Sequence, residues 1–224
     1  MRRFVRENSL TLAFGLAFLL ALVGQALAGW VDFDNQLATD GLQQVGFLAY
    51  LASSDFAVDV AENWQSEYLQ FFLFIVATVW LVQRGSPESK EPHKAGTESD
   101  AEQKTGRHAD EGSPRWAGVA GWRGRVYSRS LGIVMALLFL LSWLAQSVAG
   151  TAAYDEQQLR DLQDPIAWHQ YVASADFWSR TLQNWQSEFL AVASMAILSI
   201  YLRQRGSPES KPVGASHDAT GVEG

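Results

Sequence analysis

The chain has 224 residues, of which 48% are hydrophobic and 18% charged, with a formal net charge of -7. It holds no cysteine and four histidines, which excludes disulfide frameworks, thiolate metal sites and cysteine nucleophiles. The acidic balance lacks the basic surface that phosphate neutralisation requires, so nucleic acid is not an expected partner.

The mean hydropathy of -0.05 is that of an ordinary soluble domain, but it averages two unlike populations. Residues 8–31, 68–83, 130–154 and 189–202 contain no Asp, Glu, Lys or Arg. A bilayer core of about 30 Å needs about 20 helical residues at about 1.5 Å each. The first and third windows span outright. The second and fourth do so if they begin upstream, in the identical stretches 63–67 and 184–188. Buried helices of a soluble core are the competing reading, but such helices keep a polar stripe. Residues 10–23 and 131–141 are apolar on every face.

In chain order, a first span over residues 9–28 follows Arg2, Arg3 and Arg6. That basic start, with Ala26-Leu27-Ala28, also has the form of a signal peptide and its cleavage site. The third window repeats the same design in mid-chain, where cleavage serves no export, so a retained span is expected. An outer loop follows, with a helix over 42–51, and Ser-Ser-Asp at 53–55 supplies N-cap chemistry for a helix entering the membrane. Phe56, Trp64 and Tyr68 are interface anchors. A second span runs from Asn63 to a stop at 83–90, where Gly85 suits the left-handed residue ending a helix, the proline blocks resumption and the arginine meets headgroups.

Residues 87–124 are rich in Glu, Lys, Gly, Ser and Asp and read as a disordered linker. His93, His108 and, in the tail, His217 are then solvated rather than ligands. Trp116 and Trp122 among Arg115, Arg123 and Arg125 form a membrane-surface anchor. The third span, a second loop with a helix over 166–172, the cap at 174–176 and the aromatics Phe177, Trp178, Trp185 and Phe189 lead to a fourth span. A second stop at 204–211 precedes a disordered tail, 208–224.

Sliding the chain on itself by 121 residues aligns 9–90 with 130–211 without a gap, at 32 identities in 82 positions. Asn-Trp-Gln-Ser-Glu occupies 63–67 and 184–188, and Gln-Arg-Gly-Ser-Pro-Glu-Ser-Lys occupies 83–90 and 204–211. Two spans per unit, an even number, make the copies parallel rather than inverted. The fold class expected is therefore all-α and polytopic, with four transmembrane helices in two parallel-repeated hairpins. The first covers 1–86 and the second 125–207. Fifteen of the seventeen Lys and Arg lie in the N-terminus, the central segment and the tail, while thirteen acids lie in 32–67 and 155–188. Both termini are then cytoplasmic and the acidic loops face outward.

Twenty residues counted back from Val82 begin at Asn63 and set Glu67 about one turn inside the outer boundary. Glu188 repeats this, and Gln25 and Gln146 fall at similar depth on the first and third spans. An ionised carboxylate there is costly unless it bonds an amide across the helix pair or takes up a proton. Gln25 with Glu67 and Gln146 with Glu188 are the expected pairs, with Asn63 and Asn184 on the carboxylate face. Gln70 extends that face in the first copy, where Ala191 stands in the second. The functional reading is a proton or cation site, and the structural one is a polar clamp. Small residues at 21, 24 and 28, and at 142, 145 and 149, suit close helix packing. No catalytic, cofactor or metal residue is expected, because the spans hold no His/Glu metal motif, phosphate loop or nucleophile with its base.

Arg-Glu-Asn at 6–8, Gly-Gln-Ala-Leu at 24–27, the Asn-Trp-Gln-Ser-Glu block and the Arg-Gly-Ser-Pro-Glu-Ser-Lys stop together resemble the bacterial integral membrane proteins grouped as domain of unknown function 6766. The resemblance implies a four-span protein of the bacterial inner membrane and brings no activity or cofactor. The expected role is non-enzymatic, in interaction or membrane organisation, with a small-solute, proton or cation translocator using Glu67 and Glu188 as the alternative. The partners expected are the lipid bilayer and either a second copy or a cytoplasmic protein on the repeated stop blocks.

Overall fold

The computed structural model describes residues 2–223. Among these, the chain forms eight α-helices and no strand: α1 (Arg2–Glu7), α2 (Ser9–Thr39), α3 (Phe47–Leu51), α4 (Ser54–Ala77), α5 (Trp122–Tyr127), α6 (Ser130–Arg160), α7 (Trp168–Val172) and α8 (Ala175–Tyr201). Two helices, α2 and α6, are long and apolar enough to cross a membrane. Helices α4 and α8 fall short because each joins an apolar C-terminal half to a charged start, Asp55 to Glu67 in one and Asp176 to Glu188 in the other. The residues group into two compact units: 2–61 with 145–177, and 62–144 with 178–223.

In the first unit, α2 and α6 each run 31 residues, about 46 Å, well past the boundary expected at Ala28 and Ala149. Each closes on a left-handed residue: Gly41 at φ 72° and, 121 residues on, Leu162 at φ 56°. The backbone bonds are those of a Schellman turn, Leu42 N–H to Leu37 at 2.8 Å and Gln163 N–H to Gln158 at 2.8 Å. Leucine pays a steric penalty in this conformation that glycine does not. Its side chain is 96% exposed and contributes no packing in return. Leu162→Gly is therefore expected to raise stability by roughly 1 kcal/mol, read as a higher melting temperature in detergent, and Gly41→Leu to lower it.

The loop helices are shorter than expected, because residues 42–46 are drawn out of helix. The Asp34 carboxylate accepts the Val45 N–H at 2.9 Å, and Asp155 accepts the Ile166 N–H at 2.8 Å. Only five residues, 47–51 and 168–172, then turn helical. The caps at the start of α4 and α8 form as their sequence implies: Ser53 Oγ accepts the Phe56 N–H and Ser174 Oγ the Phe177 N–H, both at 3.2 Å.

Two aromatic triads hold these turns. Phe33, Tyr50 and Phe56 pack with centroids 5.5 to 5.6 Å apart, and Tyr154, Tyr171 and Phe177 with centroids 5.5 to 5.7 Å apart. Tyr50 and Tyr171 are buried and lie over Gly29 and Gly150, where a Cβ would meet the phenol oxygen at 2.1 and 2.6 Å. The two glycines are thus the floor on which the tyrosine rings sit. Arg160, one of two basic residues in the acidic loops, stands over the Phe33 ring at 5.6 Å and 4.0 Å from Asp40.

Candidate functional site

The block Asn-Trp-Gln-Ser-Glu is the longest identity within helices, and in the second unit its two copies do different things. On α4 the buried stripe runs Val58, Ala61, Gln65 and Leu69, at helical spacings of three and four. Gln65 is completely buried and Ser66 nearly so. Glu67 and Asn63, two residues either side of Gln65 and so about 200° around the helix, are exposed. On α8 the face is rotated. Phe177 and Thr181 are buried, Asn184, Trp185 and Glu188 are half-buried, and Gln186, the counterpart of Gln65, is exposed.

This offset has a direct cause in packing. The Trp185 indole N–H donates to Gln65 Oε1 at 2.8 Å, so the tryptophan of one block reads the glutamine of the other. Trp185 is itself set in aromatic contacts with Phe139 and Trp143, at centroid distances of 6.3 and 5.8 Å. Trp143 stacks on Phe139 at 5.5 Å and meets Trp178 edge-on at 6.0 Å. One register puts Trp185 inward and its counterpart Trp64 outward, 41% exposed. Gln65 Nε2 is enclosed with no hydrogen-bond partner among the described residues.

Of the six residues expected to form polar pairs, the second unit brings Glu67 and Glu188 within electrostatic reach of each other. Asn184 Nδ2 donates to the Arg180 carbonyl at 2.9 Å, one turn back in its own helix. Ser66 and Ser187 donate to Asn63 and Asn184 carbonyls at 2.9 and 2.8 Å, local bonds that recur in both blocks. Gln25 and Gln146 belong to the first unit, the former half-buried and the latter fully buried. Arg180, the second basic residue of the acidic loops, donates to Glu62 at 2.8 Å.

The first helix of the repeat's second half also departs from expectation at its far end. The count that placed Glu67 ran to Val82, but α4 stops at Ala77. Thr78 Oγ1 donates to the Phe74 carbonyl at 2.7 Å, and the Val79 carbonyl is taken by the Gly96 N–H at 2.7 Å. The counterpart α8 continues to Tyr201.

Gln65 is the residue that sequence reasoning passed over. Its signal was present: it lies on the stripe Val58, Ala61, Leu69, whereas Glu67 does not. Its chemistry is that of a buried amide with one donor uncommitted, suited to an oxygen acceptor. Among the described residues, no group of three His, Cys, Asp or Glu is placed to hold a metal ion. No curated protein and no solved structure matches the chain. The family described as Domain of unknown function (DUF6766) matches residues 1–222, and the chain belongs to it.

Proposed function

We propose that this is an integral protein of the bacterial inner membrane with four spans in two parallel hairpins, both termini cytoplasmic, acting without catalysis in interaction or membrane organisation. One observation carries the membrane reading. The apolar windows of α2 and α6 are only 6% and 17% buried, with Leu10, Phe14, Leu131 and Leu141 all more than half exposed. Faces of that size in water are aggregation surfaces, whereas hydrocarbon satisfies them. The exposed Phe71, Leu190, Ile197 and Leu198 support extending the same solvent to the apolar halves of α4 and α8.

The side assignment rests on the Lys and Arg distribution and is tested by thiol labelling, since the chain has no cysteine of its own. Asn35→Cys is expected to react with an impermeant maleimide in intact cells, and Thr97→Cys and Ala215→Cys only after permeabilisation. Labelling of Thr97→Cys in intact cells reverses the orientation. A mature N-terminus at Gly29 establishes the signal-peptide reading and removes the first span.

The translocator reading is favoured by the proximity of Glu67 and Glu188, two carboxylates whose mutual repulsion is relieved by a proton or a cation. It predicts that purified protein in liposomes dissipates a proton or cation gradient and that Glu67→Gln with Glu188→Gln abolishes the flux. Absence of flux, with only a loss of thermal stability in the double variant, leaves the organising role.

A further inference from the structure

Eight residues agree in the two stop blocks, more than helix termination requires. Much of that identity is a local turn made twice. Gln83 N–H donates to Ser89 Oγ at 2.7 Å and Gln204 N–H to Ser210 Oγ at 2.9 Å. Gly85 and Gly206 both adopt the left-handed region, at φ 86° and 79°. The lysine and the glutamate remain to be explained.

Lys211 is almost wholly buried. Its ammonium donates to the carbonyls of Ser216, His217 and Ala219 in the tail at 3.1, 2.9 and 3.2 Å, and to Gly85 of the first turn at 2.7 Å. The tail is fastened to the first turn again: Gly85 N–H donates to Thr220 Oγ1 at 2.8 Å, and Gly221 N–H to the Ser86 carbonyl at 3.0 Å. From the second turn, Arg203 donates to the Ala215 carbonyl at 3.0 Å, while His217 Nδ1 lies 2.9 Å from the Ile200 carbonyl. The exposed Arg84–Asp218 pair at 3.4 Å adds little. A Cβ on Gly85 would come 2.5 Å from the His217 carbonyl, whereas one on Gly206 would meet nothing within 4 Å.

Glu88 lies within electrostatic reach of its counterpart Glu209 and of Glu223 in the tail. Glu88 and Glu223 line one cavity of about 740 Å³ with part of the linker. The basic side chains nearby are engaged elsewhere: Lys90 with Glu98 at 2.8 Å, and Lys94 and His93 with Glu91 at 3.0 and 3.2 Å. Glu102 is held by Ser99.

We propose that the paired turns 83–90 and 204–211 form a receptor for residues 212–221 of the chain's own tail, and that ionisation of Glu88, on the cavity it shares with Glu223 of the tail, releases it. Burial first, then Glu209 and the charge of Glu223, push Glu88 up to about 7. Released, Glu88 loses the burial and the Glu223 charge that the tail supplies and falls back toward the ordinary carboxylate range. The docked tail is thus favoured fully below that range, and the preference is lost as pH rises through about 7. Between pH 6 and pH 8 the docking equilibrium falls about tenfold.

Hydrogen exchange on the full chain in nanodiscs tests this, with tail rates corrected for intrinsic pH dependence. In the wild type, tail protection is expected to fall about tenfold from pH 6 to pH 8, and in Glu88→Gln to stay high at both. Gly85→Ala is expected to expose the tail at pH 6 while Gly206→Ala, equally strained, leaves it protected; protection around Tyr50 and Tyr171 reports that the variants remain folded. A wild-type tail as unprotected at pH 6 as in Gly85→Ala overturns the receptor, and equal wild-type protection at pH 6 and pH 8 overturns the release. Protection supplied by a second, differently labelled copy overturns docking within one chain.

Discussion

Gly150→Ala is expected to destabilise the protein by about 1–2 kcal/mol, and a change at Tyr171 will not rescue it. Two effects compete. Replacing a glycine inside a helix by alanine gains about 1 kcal/mol of helix propensity, while forcing a methyl group into a filled space costs about 1–3 kcal/mol. At Gly150 the new Cβ falls 2.6 Å from the Tyr171 hydroxyl oxygen and 2.8 Å from a ring carbon, under a ring only 1% exposed. The whole ring must move, and it is held by its hydrogen bond to Asp176 at 3.1 Å and by Tyr154 and Phe177. Packing outweighs propensity there. Gly29→Ala meets the Tyr50 hydroxyl at 2.1 Å but the ring only at 3.0 Å. Tyr50→Phe is therefore expected to recover much of the loss in the Gly29→Ala background, whereas Tyr171→Phe recovers little in Gly150→Ala. Thermal unfolding of the four single and two double variants in one detergent measures both cycles.

Arg180→Ala is expected to cost about 2–3 kcal/mol, below the 3–5 kcal/mol of a fully buried broken pair because the guanidinium is partly in water. The pair is short, at 2.8 Å, and unequal: the Arg180 side chain is 37% exposed and Glu62 only 16%. Removing the arginine leaves the more enclosed partner charged, so the loss is expected to be greater than for Glu62→Gln, which leaves the more exposed one. Melting temperatures of both variants check the asymmetry. Equal losses in the two variants assign the effect to lost side-chain packing instead.

Ser53 and Ser174 carried their role in the sequence, because each caps a helix three residues away. Asp34 and Asp155, which each hold a backbone amide eleven residues on, and Gly41, which ends a helix by its own backbone freedom, showed their role only in the structure. Leu162 shows the limit of that reasoning: a leucine stands where the first copy has glycine, and the turn forms regardless. The extent of α2 and α6 was not legible from charge-free windows, since Asp32 and Asp34 end the window while the helix continues to Thr39. A charge closes an apolar stretch without breaking a helix.

Identity across the 121-residue offset predicted equal depth for Glu67 and Glu188, and burial did not follow. The reason lies in which face each helix turns inward. A rotation of α8 relative to the pattern of α4 puts Trp185 on Gln65 and leaves Trp64 and Gln186 outside. Two identical blocks packed together with one copy's tryptophan in the middle have no room for the other's. The sequence by itself determined the duplication across 121 residues, together with the apolar segments and the helix caps, which are set by residues close to one another in the chain. The tertiary structure alone decided that Gln65 rather than Glu67 is enclosed, that Glu67 and Glu188 come within electrostatic reach, and that Lys211 closes on its own tail. Each of these depends on contacts from distant segments, and a pattern of period 3.6 states which residues share a face but not what that face will meet.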